Sequence, residues 1–131
     1  MNKKQIFFEK IVTDEAQVIT NKIKSKLKSI SIDKVISSDG RSKESPEVCK
    51  SGSFVYLLYD KNDKLLYVGE TGTSIRKRLK GHGGGSHKGK PWYKRIKTIK
   101  YYKGDAKVFD EKKRKFVEQA FSIALNPEFY G

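Results

Sequence analysis

The chain has a single cysteine, Cys49, one methionine and three prolines in 131 residues. One thiol excludes a disulfide framework and a cysteine-based zinc site, and it fits a reducing compartment. No apolar run approaches the roughly 18 residues that a membrane span needs. The opening Met1-Asn2-Lys3-Lys4-Gln5-Ile6-Phe7-Phe8 meets Glu9 and Lys10 before its apolar stretch is long enough for a signal peptide. A cytoplasmic protein is therefore expected. Acidic residues are also scarce, with 15 Asp and Glu against 29 Lys and Arg and a net charge of +14. A compact domain with that imbalance repels itself, so a polyanion such as nucleic acid is the partner to look for. A merely soluble basic protein is the plainer reading of the same number.

What is present fits one domain with an appendage. A chain of this length buries about two-thirds of its unfolded surface and needs no staple. Aromatic residues make up 11% of it, which argues against disorder. Ile19, Ile23, Leu27 and Ile30 recur on one helical face, and Asp14 with Gln17 resembles a capping box, so the spacing predicts a helix over 14–30. Its lysines, Lys22, Lys24, Lys26 and Lys28, suit either a solvated face or a DNA-contacting one. The polar stretch 37–53 reads as a linker, which sets off residues 1–52 as helix plus linker from a domain over 53–131.

The second part opens on Phe54-Val55-Tyr56-Leu57-Leu58-Tyr59, a run typical of a strand buried on both faces. The turn residues 60–64 and Leu65-Leu66-Tyr67-Val68-Gly69 complete a hairpin. Thr73 or Ser74 then caps a helix carrying Ile75 and Leu79. A third strand over 96–102 follows, and a last helix is capped by Asp110, turns Phe116, Val117, Ala120, Phe121, Ala124 and Leu125 inward, and stops at Asn126-Pro127. The order is ββαβα. It predicts an α+β fold with a small three-stranded, mainly antiparallel sheet flanked by helices.

Several residues on these elements can carry chemistry. A two- or four-residue hairpin loop would pair Tyr56 with Tyr67 on one face, whereas an odd loop would separate them. Two ordinary strand tyrosines is the plainer reading. Arg78 and His82 are four apart and share a helical face. An arginine suits phosphate contact, although Arg76, Lys77 and Lys80 beside it also fit a solvated basic face. Lys88, Lys90, Lys94 and Arg95 can track a phosphate backbone. Glu118 borders the apolar stripe of the last helix, as a rim ion pair or as a carboxylate able to hold a hard divalent cation. His82 and His87 have a finger-like spacing but lack a cysteine pair, so no zinc site is expected. The glycine-rich 81–90 stretch lacks the Gly-Lys-Ser/Thr ending of a P-loop.

Taken in order, these residues resemble the GIY-YIG nuclease family. Phe54-Val55-Tyr56 and Tyr67-Val68-Gly69 are similar to its two strand motifs, with Phe54 in place of Gly and Val55 and Val68 in place of Ile. Arg78-Leu79-Lys80-Gly81-His82 resembles its arginine helix, and Glu118 resembles its metal-binding glutamate. The resemblance covers about residues 53–131 and implies hydrolysis of DNA phosphodiester bonds with one divalent ion, Mg²⁺ or Mn²⁺. It implies that Glu118 holds the metal and that Arg78 holds the phosphate. Tyr56 would be the general base or water-orienting phenol, supported by Tyr67, with His82 relaying a proton or orienting it. A phenol with a pKa near 10 is a poor base at neutral pH, so Arg78, Lys64 and the metal are expected to lower it. Lys64, Arg76, Lys77, Lys80, Lys88, Lys90, Lys94 and Arg95 are the expected DNA contacts. A double-strand cut would need two copies of the site, hence a homodimer or sequential nicking. The alternatives are a non-catalytic nucleic-acid-binding module on the same fold and a basic structural protein with no discrete site.

Overall fold

The computed structural model describes residues 3–81 and 86–130, without the side chains of residues 3–9. The elements are α1 (Lys3–Lys24), β1 (Lys28–Ser31), α2 (Ile32–Ser37), β2 (Ser53–Tyr59), β3 (Leu65–Thr71), α3 (Ile75–Lys80), β4 (Thr98–Gly104) and α4 (Glu111–Leu125). Two 3₁₀ turns lie at Glu47–Cys49 and Tyr93–Arg95. The ββαβα order stands, in an α+β architecture. The sheet, however, has four strands rather than three, in the order β1-β4-β2-β3, with every pairing antiparallel. None of the described helices is long and apolar enough to cross a membrane.

The added strand comes from the segment read as the end of the first helix. The helix begins at Lys3, places Asp14 in its interior, and ends at Lys24 with Lys26 N–H bonded to the Ile23 carbonyl. Lys28-Ser29-Ile30-Ser31 then pairs with Thr98–Tyr101. The apparent four-residue stripe spans two clusters. Ile19, Ile23 and Leu27 pack beneath the sheet against Val117 and Phe121. Ile30 packs on the opposite face. The helical period therefore runs past the true helix end by coincidence.

The sheet is covered on both sides. Phe54, Tyr56 and Leu58 face a cluster with Ile75 and Leu79 of α3, Trp92, and Val35 and Val48 from the segment before β2. Val55 and Leu57 face Val117 and Phe121 of α4. The stretch read as a linker thus supplies Val48 and Cys49 to the core. In α4, Asp110 accepts a bond from Lys113 N–H at 3.1 Å, and Asn126 closes the helix in the left-handed region at φ 50°. Phe116, expected inward, is 58% exposed beside α1.

The hairpin register differs from the one that pairs the two tyrosines. Tyr56 pairs with Gly69, and Tyr67 pairs with Leu58. The loop between paired Tyr59 and Leu65 is odd, since it spans Asp60–Lys64, and alone it would put the tyrosines on opposite faces. The register steps over Leu66 between those pairs, a bulge that restores the parity. Leu66 and Tyr67 both join the upper cluster as a result. Asp60 fixes the loop by accepting from Asn62 and Lys64 N–H at 2.8 and 2.9 Å.

Candidate active site

Tyr56 lies at the centre of the sheet and is fully buried. Its cross-strand partner Gly69 is what admits the ring. A Cβ at Gly69 would stand 2.5 Å from Tyr56 Cζ, 2.6 Å from its Oη and 2.8 Å from Tyr67 Cε2. The Tyr-x-Gly spacing thus has a steric cause: the glycine makes room for one phenol, and the tyrosine two residues before it stands beside it.

The described partner of the Tyr56 phenol is His87, with Oη to Nε2 at 2.6 Å. The His87 ring also meets Tyr67 edge-on at 4.7 Å, and Tyr67 stacks on Trp92 at 5.0 Å. The His87 backbone is anchored too, its N–H donating to the Arg78 carbonyl at 2.7 Å. Burial, then the charges of Arg78 and Lys90, push the His87 pKa down to about 4. The imidazole is therefore neutral at pH 7. Burial raises the Tyr56 pKa far above its ordinary value, against the opposing pull of Arg78. Arg78 pulls in the expected direction, but desolvation outweighs it, and Lys64 is paired with Glu128. Tyr56 thus keeps its proton, and in the tautomer that carries the single imidazole N–H on Nδ1, Nε2 accepts the phenol's hydrogen bond.

Arg78 and Glu118 frame this pair. The Nε of Arg78 is buried without a hydrogen-bond partner among the described residues. An orphaned guanidinium N–H costs free energy until an acceptor arrives. Its charge reaches both Tyr56 and Tyr67. Glu118, on α4, is half-buried, and its field also reaches both tyrosines. Burial and the nearby Glu70 raise its pKa, while Lys115 and Arg78 lower it. It makes no ion pair or hydrogen bond among the described residues. No group of three or more His, Cys, Asp or Glu able to hold a metal occurs there. One carboxylate is nevertheless enough for Mg²⁺, which binds one or two carboxylates, water and substrate phosphate oxygens. An uncompensated, half-buried carboxylate fits that role.

Of the expected site residues, Tyr56, Tyr67, Arg78 and Glu118 converge. His82 lies outside the described residues. The expected DNA contacts divide. Arg95 is bound by Glu128 at 3.0 and 2.9 Å and by Asp60 at 3.2 Å, and Lys64 pairs with Glu128 at 3.5 Å. Arg76 and Lys80 donate to the carbonyls of Ser38 and Ile36, at 2.6 and 3.0 Å, at the end of α2. Lys77, Lys88, Lys90 and Lys94 are exposed and make no ion pair among the described residues. Sequence reasoning weighs His87 only for zinc and misses its place here. It follows a glycine-rich stretch without periodicity, so no sequence signal ties it to Tyr56.

Residues 52–116 match the GIY-YIG catalytic domain. No curated protein and no solved structure matches the chain. The matched span holds Tyr56, Tyr67, Gly69, Arg78 and His87, and Glu118 lies just past its end.

Proposed function

We propose that this chain, which belongs to the GIY-YIG family through residues 52–116, is a metal-dependent endonuclease that hydrolyses phosphodiester bonds in DNA. The buried Nε of Arg78, which has no hydrogen-bond partner among the described residues and belongs to the same cluster as the Tyr56–His87 pair, carries this reading. It supplies a charge-assisted N–H that no described residue accepts, which suits an incoming phosphate oxygen.

The side chains divide the work. Arg78 holds the scissile phosphate and stabilises the charge that builds on it. Tyr56 accepts a proton from the attacking water while passing its own to His87 Nε2 across 2.6 Å. A concerted transfer of this kind needs no free phenolate, and a neutral imidazole is ready to accept. Tyr67 walls the His87 ring and keeps it aimed. Glu118 holds the divalent ion, Mg²⁺ or Mn²⁺, which when bound supplies Lewis-acid charge at the phosphate and the leaving oxygen. Lys77, Lys88, Lys90 and Lys94 steer the DNA backbone. One chain carries one such site, so each encounter nicks one strand.

Supercoiled plasmid incubated with Mg²⁺ should convert to the nicked form. EDTA, Tyr56→Phe, Arg78→Ala and Glu118→Ala should each stop it. Cleavage that persists in EDTA or survives Glu118→Ala would sink the mechanism. Salt-dependent binding with no product under any metal would instead assign a non-catalytic DNA-binding module.

A further inference from the structure

Arg114 and Glu118 stand one turn apart on α4, and the chemistry above uses only Glu118. Arg114 is the more elaborately bound of the two. Its Nε donates to Glu70 Oε2 at 2.7 Å and its Nη1 to Ser53 Oγ at 3.1 Å. Ser53 Oγ donates in turn to the Phe109 carbonyl in the turn leading into α4. The backbone gives way to the guanidinium, since a Cβ on Gly72 would lie 2.8 Å from Nη2. Arg114 and Glu70 are only 12% and 16% exposed, whereas the cations of the other described ion pairs are 39% to 66% exposed.

An enclosed ion pair is a weak source of stability, because desolvation offsets most of its attraction. What this one provides is geometry and charge balance. It ties the first turns of α4 to β2 and β3, the two strands that carry Tyr56 and Tyr67 on their opposite face. It also covers Glu70, whose charge is felt at Glu118. We propose that Arg114 is a positioning residue for Glu118: its clamp on Glu70 and Ser53 fixes α4 so that a divalent cation is held by Glu118. This inference rests on the metal-dependent reading above. Arg114 touches neither DNA nor the ion, and it acts through the helix it shares with Glu118.

The test is Mn²⁺ binding to the full chain without DNA, followed by paramagnetic broadening of backbone amide signals. It is run on the wild type, Glu118→Ala, Arg114→Ala and Arg114→Lys, with melting curves and plasmid nicking in parallel. The wild type should show broadening around Glu118, and Glu118→Ala should abolish it. Arg114→Ala should bind Mn²⁺ about 10-fold more weakly, the lower end of the loss seen when a group bonded directly to a metal ligand is removed, because Arg114 acts on Glu118 only through the helix. Its nicking kcat should fall similarly, with KM for DNA little changed. Arg114→Lys reaches Glu70 but not Ser53 as well, and should fall between. A folded Arg114→Ala protein with wild-type Mn²⁺ affinity overturns the proposal. If Arg114→Ala does not fold, Arg114→Lys decides, with a loss of about threefold or more supporting it and unchanged affinity overturning it. Absence of Glu118-dependent Mn²⁺ binding in the wild type also overturns it. Mn²⁺ binding without cleavage refutes the nuclease reading alone, and the Arg114 variants still decide the clamp.

Discussion

Gly69→Ala adds one methyl group, and the structure makes the sign of its effect diagnostic. Gly69 is not among the positive-φ glycines, so its backbone does not require a glycine. In an unobstructed strand, alanine would gain roughly 0.5–1 kcal/mol over glycine. Here the new Cβ would lie 2.5 Å from Tyr56 Cζ and 2.6 Å from its Oη. Ordinary contact needs about 3.4 Å or more, so the phenol must retreat by about 1 Å. It is fully buried and pinned to His87 at 2.6 Å. Overpacking costs about 1–3 kcal/mol. Losing the bond to a buried imidazole adds about 1–3 kcal/mol. The expected loss is about 2–5 kcal/mol, which lowers the melting temperature by about 10 °C or more in a domain of this size. Misplacing the phenol by that distance should also cut kcat by roughly 100-fold. The assay is thermal or urea unfolding alongside plasmid nicking. In a Tyr56→Ala background the same substitution should cost at least about 1 kcal/mol less, because the ring it strikes is gone. A Gly69→Ala protein that is as stable as the wild type and cuts at its rate would refute the reasoning.

Stability should fall as the pH drops from 6.5 towards 4, because His87 has a folded pKa of about 4 against 6.5 unfolded and the unfolded chain takes up the proton first. Above pH 6.5 this stabilising contribution is fully present, it is worth no more than about 3 kcal/mol, and His87→Gln should flatten that part of the urea-unfolding pH profile. Arg78→Ala should reduce kcat by about 100- to 1,000-fold. Arg78→Lys should recover little of it, because a lysine cannot reproduce the planar fork. Each of Lys88→Ala, Lys90→Ala and Lys94→Ala should weaken DNA binding and flatten the log K against log salt slope by about 0.9 for every phosphate that is no longer neutralised. Arg95→Ala should lower the melting temperature with that slope unchanged, since its guanidinium is committed to Glu128 and Asp60.

Elements set by local rules were legible in the sequence. Ser74 and Asp110 cap their helices through side-chain oxygens, and Val117, Ala120 and Phe121 are buried as the helical period requires. Elements set by long-range pairing were not. Lys28–Ser31 is a strand only because β4 leaves an edge for it, and nothing within those four residues says so. The hairpin parity was ambiguous for a related reason. A loop length alone does not reveal a bulge, and the step past Leu66 decides which face Tyr67 takes. Tyr56, Tyr67, Arg78 and Glu118 were visible because each sits on a regular element. His87 was not, because it lies on no helix or strand and is tied in place by a backbone bond to the Arg78 carbonyl. Glu70 and Arg114 escaped notice because they face each other across α4 and β3 rather than along one element.

The net charge of +14 acquires a local meaning from this arrangement. A basic chain can satisfy a carboxylate cheaply, and Asp60, Glu47 and Glu128 are each claimed by a cation. Glu118 is an exception among the described residues. It feels the charge of Arg78, yet the two do not approach within ion-pair distance. Glu70, the other acid within electrostatic reach, is taken by Arg114. Two half-buried opposite charges that could cancel are therefore kept apart, each bearing its own desolvation cost. Pairing them would favour the folded chain and leave nothing to receive a substrate. A phosphate on Arg78 and a divalent cation on Glu118 relieve both costs together. On this argument, a substitution that let Arg78 reach Glu118 would raise the melting temperature and abolish cleavage.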